Sequence, residues 1–170
     1  MELISNKSKV LRSLAENFDF DNPQCDPVKL FEDMRNTMCS NKGIGLAAPQ
    51  VGLSYKMFVI GDPSTPESCI PVFNPSIVSV SDETVTYEEG CLSFPGLYIS
   101  IKRPRNIRAR FANQNGEVNT VQFDGLTART FQHEYDHIYG ILYTSRANIY
   151  HLEKARKDLK LIQRRRARAK

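Results

Sequence analysis

The chain reads Phe-Gln-His-Glu-Tyr-Asp-His from residue 131 to residue 137. An α-helix turns by about 100° per residue, so His133 and His137 project from one face and can hold one metal ion between them. Glu134 then lies beside that ion, where a carboxylate can accept a proton from a water bound to it. Two histidines one turn apart also arise by accident of composition, but two of the chain's three histidines flank this Glu. The stretch therefore predicts a metal-binding helix, and a catalytic metal needs a third protein ligand from elsewhere.

Length and composition predict a single domain that spans residues 1–170. The chain has 170 residues and 41% apolar composition, which is enough for one core and short for two. It contains no apolar run near the roughly 18 residues of a membrane span, and its first residues lack signal or transit character. We therefore expect a monomer without membrane association, located in the cytoplasm, or in an organelle stroma if a transit peptide was removed.

Cysteine content and charge distribution carry two further expectations. The four cysteines, Cys25, Cys39, Cys69 and Cys91, lie in unlike contexts without a secretory signal, so reduced thiols are expected. Residues 154–170 contain nine Lys or Arg and one Asp, which gives this tail a charge of +8 within a total of +4. A polyanionic partner would therefore meet the tail.

The flanks of the metal-binding stretch predict helices before and after a β region. Residues 7–18 indicate a short helix or a turn. Asp26 and Pro27 are typical of a helix start, and an apolar stripe predicts that the helix packs in the core and ends near residues 41–43. That stripe consists of Leu30, Phe31, Met34 and Met38. For the metal-binding helix itself, Asp124 is the expected cap and Gly140 the expected end.

The middle of the chain has the pattern of closely spaced strands. Seven short apolar or alternating segments are separated by turn residues, with a clear turn at residues 113–116. These segments are 56–60, 70–73, 77–80, 84–87, 97–101, 107–111 and 118–123. Strands without helices between them predict antiparallel or mixed sheets, so the fold class is α+β, with the sheets around a central metal-binding helix and a C-terminal helix.

Two segments outside the helix carry residues suited to a site. Residues 43–52 are rich in small side chains and include Gln50, whose amide can both donate and accept; alone, the segment is more often a tight turn into a strand. It has neither a dinucleotide fingerprint nor the Gly-Lys-Ser/Thr ending of a phosphate loop. Cys91 lies between strands, and a lone Cys is most often a small buried apolar residue. Together with His133 and His137, however, it completes a three-ligand set with one open position.

Three segments together resemble the signature motifs of peptide deformylase, in the family's order and at its usual separations. They are Gly-Ile-Gly-Leu-Ala-Ala-Pro-Gln at 43–50, Glu-Gly-Cys-Leu-Ser at 89–93 and Gln-His-Glu-Tyr-Asp-His at 132–137. The resemblance runs from about Val10 to beyond Gly140, and residues 94–98 are most similar to the plastid and related bacterial branch. It implies a metallohydrolase that removes the formyl group from the N-terminal N-formylmethionine of nascent chains and releases formate. It also implies one divalent metal ion per chain, natively Fe²⁺, with Zn²⁺, Ni²⁺ or Co²⁺ as substitutes.

The resemblance assigns roles to individual residues. Cys91, His133 and His137 correspond to the metal ligands, and Glu134 corresponds to the general base. The Leu92 backbone N–H and the Gln50 amide correspond to donors that, with the metal, hold the developing oxyanion.

Substrate contacts follow from the same resemblance. Ile44, Leu126 and the helix face near Thr130 and His133 are candidates for the methionine pocket. Backbone groups of Ile44, Gly45 and Gly96 are candidates for pairing with the substrate main chain as an added strand. Beside the ligands, we expect an ion pair between Glu89 and Arg103.

The C-terminal segment predicts a second long helix over residues 145–170, with a basic helical tail from about residue 148. Its inward residues would be Ile149, Leu152, Leu159 and Ile162. Residues Arg164–Lys170 are either a solvated terminus or a contact to ribosomal RNA, as in bacterial members of the family; such a contact would weaken steeply with salt. His151 is expected at the surface.

Three other functions stay open at this stage. A His-Glu-x-x-His peptidase that cleaves internal bonds is chemically close, but usually takes a third His, Glu or Asp ligand instead of a Cys. A metal-stabilised binding module would not need Glu134. A basic RNA-binding protein would need aromatic or groove-reading elements, which the sequence lacks outside its tail.

Overall fold

The computed structural model describes residues 1–168 and contains four α-helices and seven strands within that range. The helices are α1 (Pro27–Ser40), α2 (Gly125–Ile138), α3 (Tyr143–Arg146) and α4 (Ile149–Arg168). The strands are β1 (Gly45–Ala47), β2 (Met57–Ile60), β3 (Ile70–Val80), β4 (Thr84–Cys91), β5 (Phe94–Pro104), β6 (Ile107–Ala112) and β7 (Val118–Phe123). Short 3₁₀ helices occur at Lys9–Arg12, Ala48–Val51 and Pro66–Ser68.

The strands form two antiparallel sheets. Five of them lie in the order β1-β2-β3-β6-β7, and β4 and β5 form a separate two-stranded sheet. Strand β1 is therefore an edge of the larger sheet. The predicted α+β class, with sheets around the metal-binding helix and a helix at the C-terminus, is confirmed.

The position of strand β2 between two core clusters explains why its sequence is continuously apolar. Phe58 and Ile60 pack in one core cluster with Phe131 of α2, whereas Met57 and Val59 pack in a second cluster that contains Met34 of α1. Successive side chains of a strand point to opposite faces, so the strand is buried on both sides. The apolar stripe of α1 lies in this second cluster, as predicted.

A third cluster joins the two-stranded sheet to the C-terminal helices. Ile99 and Ile101 of β5 pack with Tyr143 of α3 and with Leu152 and Leu159 of α4. No helix within residues 1–168 is long and apolar enough to cross a membrane.

The long helix predicted for residues 145–170 is present over residues 149–168 and starts later than predicted. The chain leaves helical geometry at Ala147 (φ −74°, ψ 145°), and the Asn148 side chain accepts a hydrogen bond from the Tyr150 N–H at 2.8 Å, which caps the start of α4. Of the four residues expected to face inward, Leu152 and Leu159 do so, whereas Ile149 and Ile162 are 66% and 45% exposed. His151 is exposed, as expected. Ala169 and Lys170 of the predicted tail lie outside the described residues.

One local prediction is confirmed and another needs correction. The short helix or turn predicted within residues 7–18 is a 3₁₀ helix at Lys9–Arg12. Residues 70–73 and 77–80 belong to one strand, because Asn74 (φ 47°) makes an irregularity in the pairing and not a break. Its side chain replaces the lost pairing by accepting from the Phe18 N–H and donating to the Phe18 carbonyl, both at 2.8 Å.

Candidate metal centre

The structure brings the three predicted ligands together. Cys91 ends β4, and His133 and His137 lie on one face of α2, so that one ligand atom from each lies within 4.8 Å of the others. The Cys91 Sγ and the His137 Nε2 are 3.3 Å apart. Both rings are buried, with exposures of 7% for His133 and none for His137.

This arrangement fits a divalent metal ion. Bonds of about 2.0–2.3 Å in a tetrahedral site place ligand atoms roughly 3.5 Å apart, which is close to the 3.3 Å between the Cys91 Sγ and the His137 Nε2. One thiolate and two imidazoles are donors that Zn²⁺ and Fe²⁺ accept. The set supplies three protein ligands and leaves one position for a reacting molecule.

Glu89 orients one of the two histidines. Its Oε2 lies 3.0 Å from the His133 Nδ1, which turns the Nε2 of that ring toward Cys91. Arg103 donates to both oxygens of Glu89, at 2.6 and 3.0 Å, so the expected ion pair is confirmed. Arg129 adds a third cationic contact, from its Nη1 to the Glu89 Oε1 at 2.7 Å.

The charges of this cluster shift several pKa values. Burial raises the pKa of Glu89, but hydrogen bonds from His133 and Arg103 outweigh it and lower the pKa to about 2. Burial acts in the opposite direction on His133 and lowers its pKa, but hydrogen bonds with Cys91 and Glu89 outweigh burial and raise the pKa to about 10. For His137, burial and the neighbouring His133 charge lower the pKa well below its ordinary value. A proton and a metal ion therefore compete at His133.

Several members of the cluster were missed at the sequence level. Arg103 also donates from its Nη1 to the Asp136 Oδ2 at 2.8 Å, and Arg146 donates to the Asp136 Oδ1 at 2.6 Å. Arg129 donates further to the backbone carbonyls of β4 and β5 and covers the ring of Tyr87. Helical spacing could have indicated Arg129 and Asp136, because they lie four before and three after His133 on the inward face of α2.

Glu134 lies beside the ligands and is almost fully buried. It is 4% exposed, and its Oε2 has no hydrogen-bond partner among the described residues. Burial raises the pKa of Glu134 to about 7, with His133 acting against this shift and Glu89 adding to it. Gly45 leaves the space for the carboxylate, since a Cβ there would collide with the Glu134 Oε1 and with Thr130.

Gln50 reaches the centre from the 3₁₀ helix that follows β1. Its Oε1 accepts a hydrogen bond from the Ala47 N–H at 2.8 Å. Its Nε2 donates to the Cys91 Sγ at 3.4 Å and to the Ser93 Oγ at 3.2 Å. The amide is 1% exposed, so its donors are directed by the protein and not by solvent.

A cleft of about 570 Å³ opens onto these groups. It runs between β1 and β4, and its walls include the remaining residues predicted to contact substrate. Those residues are Ile44, Gly45, Leu92, Gly96, Leu126 and Thr130. Ile44 and Leu126 are 42% and 65% exposed, so they form the rim and not an enclosed pocket. Leu92 lies in the turn that joins β4 to β5.

Comparison with known proteins agrees with this geometry. Residues 1–153 match the family model described as polypeptide deformylase. Peptide deformylase 1 of Bacillus anthracis is 41% identical over 154 residues, which cover 90% of this chain and 96% of that protein.

Solved structures show the same similarity. A Legionella pneumophila peptide deformylase superposes with a TM-score of 0.83 at 32% identity, covering 98% of this chain and 97% of that one. A Synechococcus elongatus peptide deformylase in complex with actinonin gives a TM-score of 0.86 at 32% identity, with coverages of 94% and 87%. Because sequence and backbone agree over most of their length, the chain belongs to the polypeptide deformylase family.

Proposed function

We infer that this chain is a metal-dependent hydrolase that removes the N-formyl group from the N-terminal formylmethionine of newly synthesised polypeptides. The observation that carries this inference is the convergence of Cys91, His133 and His137 beside the buried carboxylate of Glu134, at the floor of a cleft. In the reaction, water forms a bond to the formyl carbon and the C–N bond breaks. The products are formate and a free amino terminus.

Cys91, His133 and His137 are the proposed ligands of one divalent ion per chain. Fe²⁺ is the proposed native ion, and Zn²⁺, Ni²⁺ or Co²⁺ can replace it; the resemblance to the family supports this choice. When bound, the ion supplies Lewis acidity, which makes a neighbouring water more acidic and polarises the formyl carbonyl. Glu89 keeps the His133 ring oriented for this purpose through its 3.0 Å contact with Nδ1.

Glu134 is the proposed general base and acid. It accepts a proton from the attacking water and delivers it to the leaving nitrogen, and thereby returns to its carboxylate form. The burial that raises the pKa of Glu134 suits this role, because it strengthens the affinity of the carboxylate for the proton of the water.

Two donors are proposed to stabilise the negative charge on the formyl oxygen. One is the Leu92 backbone N–H, in the turn that follows Cys91, and the other is the Gln50 Nε2, which already points toward the Cys91 Sγ. Loss of one such donor typically lowers the rate by about 10²- to 10³-fold.

The cleft accounts for recognition of the substrate. Ile44, Leu126 and Thr130 are proposed to surround the methionine side chain, and the backbones of Ile44, Gly45 and Gly96 to pair with its main chain. The free edge of β1 supports this pairing, because an edge strand presents unpaired backbone groups. A site closed around the formyl hydrogen has no room for the methyl group of an acetyl analogue.

We also propose that residues 1–170 form one catalytic domain that acts as a monomer and contacts ribosomal RNA through Arg164–Lys170. Arg164, Arg165 and Arg168 are exposed at the end of α4, which supports a contact with phosphates. Formylated nascent chains are made on ribosomes of the cytoplasm or of an organelle stroma, which are the proposed locations. Binding to ribosomes that does not change after deletion of residues 164–170 would contradict the RNA contact.

An anaerobic assay with metal quantification tests the activity. We expect about one Fe²⁺ per active chain and stoichiometric release of formate from formyl-Met peptides. Internally cleavable peptides without a formyl group should remain intact, whereas an internal peptidase would cut them. A Glu134→Ala variant should keep its metal and lose turnover, and full activity in that variant would contradict the proposed role of Glu134.

A further inference from the structure

We propose that Ser93 is a positioning residue for the reaction: its hydroxyl holds the Gln50 side-chain amide so that one N–H of Nε2 faces the reacting carbonyl. This inference rests on the proposed role of Gln50 as an oxyanion donor. Ser93 is buried and does not line the cleft, so it acts through Gln50.

The hydrogen bonds of Gln50 fix which end of the amide points where. The Ala47 N–H can only donate, so the atom 2.8 Å from it is the amide oxygen. The nitrogen Nε2 must then face the opposite way, toward Ser93 and Cys91. Its two hydrogens have two acceptors, the Ser93 Oγ at 3.2 Å and the Cys91 Sγ at 3.4 Å.

These two acceptors lie on different sides of the amide. Cys91 lines the cleft, whereas Ser93 is 5% exposed and is not among the residues of the cleft wall. The hydrogen bonded to Ser93 is therefore directed into the protein, and the other hydrogen lies on the cleft side, beside the metal ligands. Ser93 thus binds the donor that the reaction does not use, and the second donor, which contacts the Cys91 Sγ at 3.4 Å in this structure, is the one that can turn to the substrate carbonyl.

The covalent position of Ser93 makes this arrangement stiff. Ser93 and Leu92 form the turn between Cys91 and Phe94, which pair with each other as the last residues of β4 and the first of β5. One short turn therefore carries a metal ligand, the backbone N–H of Leu92 and the hydroxyl that orients Gln50. A shift of the turn would move all three together, so their relative geometry is kept.

Removal of the hydroxyl has a specific expected effect. In Ser93→Ala, one hydrogen of the buried Nε2 loses its acceptor, so the amide rotates toward other acceptors and the cleft-side N–H leaves its direction. We expect kcat to fall by about 10- to 100-fold with little change in KM, which is smaller than the loss of about 10²- to 10³-fold for Gln50→Ala. Ser93→Thr keeps a hydroxyl on the same carbon and should recover most of kcat.

A double-mutant cycle separates positioning from a general structural role. If Ser93 acts through Gln50, Ser93→Ala should have almost no further effect on kcat in the Gln50→Ala background. An equal loss in both backgrounds would overturn the proposal. Thr37→Val is a matched control, because Thr37 is also a 5% exposed hydroxyl but lies on α1, and it should leave kcat unchanged.

A spectroscopic measurement on the unaltered zinc-loaded protein needs neither turnover nor a variant. The Gln50 side-chain amide should give two well-separated proton signals in NMR, one with a nuclear Overhauser contact to the Ser93 Hβ protons. A degenerate pair of signals without that contact would overturn the proposal even if Ser93→Ala does not fold. Full activity in Gln50→Ala would instead contradict the oxyanion role, while the NMR contact would still report whether Ser93 holds the amide.

Discussion

The two histidines of α2 have different surroundings although they lie one helical turn apart. The Nδ1 of His133 is held by Glu89, which is itself bound by Arg103 and Arg129. The Nδ1 of His137 is buried and has no hydrogen-bond partner among the described residues. A charged network thus holds the first ring at its Nδ1, whereas the second ring has no polar contact at its Nδ1 and is held there by packing. Loss of the Glu89 charge should therefore disturb the first ring more than the second.

The largest expected effect comes from removing either ring. We expect His133→Ala and His137→Ala to lower metal affinity by on the order of 10³-fold, more than a change in a supporting residue costs, and to abolish deformylation. Metal content after dialysis and formate release measure both effects. His151→Ala, which alters the exposed third histidine, should behave as the unaltered protein. Retention of stoichiometric metal by either ligand variant would refute the assigned ligand set.

Glu89→Gln breaks the support of His133 and leaves that of His137 untouched. The change leaves the buried Arg129 without a carboxylate partner and leaves Arg103 with Asp136 alone, so the free energy of unfolding should fall by about 3 to 5 kcal/mol. Metal affinity should fall by about 10- to 100-fold through the misoriented ring. Urea unfolding and metal titration measure the two effects. Glu88→Gln, one residue earlier and exposed, is the matched control and should change neither.

Proton release on metal uptake sharpens the comparison further. His133 has a pKa of about 10 without metal, so binding at pH 7.5 should expel a proton from it, whereas His137, with a lowered pKa, has none to lose. Because the folded-state pKa of His133 is raised, its contribution to the stability of the metal-free protein is complete below pH 6.5 and lost toward pH 10. Indicator titration and melting curves across this range test both statements. Metal-free stability that rises from pH 7 to 10 would contradict them.

The smallest expected effect lies at the outer end of the same network. Arg146 binds Asp136 from a side chain that is 47% exposed, whereas the Arg103 side chain on the same carboxylate is 6% exposed. Arg146→Ala should therefore lower the free energy of unfolding by less than about 1 kcal/mol and leave metal affinity unchanged. Thermal or urea unfolding measures this change. A loss as large as that in Glu89→Gln would mean that the network is not organised around Glu89.

The same contrast explains what the sequence could predict. The grouping of His133, His137 and Glu134 could be predicted because helical spacing alone places them together. The burial of β2 could be predicted because its run of apolar residues is continuous. The contacts of Glu89 with three side chains could not, since they need β4, β5 and α2 to meet in a definite register. The resemblance to the family supplied Arg103, helical spacing could have indicated Arg129, and no pattern in the sequence indicated the role of Ser93.

The error at the C-terminus concerns the width of the inward face of α4. Leu152 and Leu159 lie two turns apart on nearly one line, whereas Ile149 and Ile162 lie roughly 60° to either side of that line at about 100° per residue. Only the central line packs against β5, and the two flanking residues are exposed. The pattern alone could not show how wide this contact is, because its width depends on tertiary packing.

Helix α4 has 20 residues and is therefore about 30 Å long. Leu152 and Leu159 pack the helix against β5, and a Cβ at Gly96, in the cleft wall, would lie 3.1 Å from Leu159. From Lys160 to Arg165 the side chains of the helix are exposed. A surface that binds the arginines at the end of α4 would thus also fix the orientation of the cleft relative to that surface, because the same helix packs against a strand of the cleft wall.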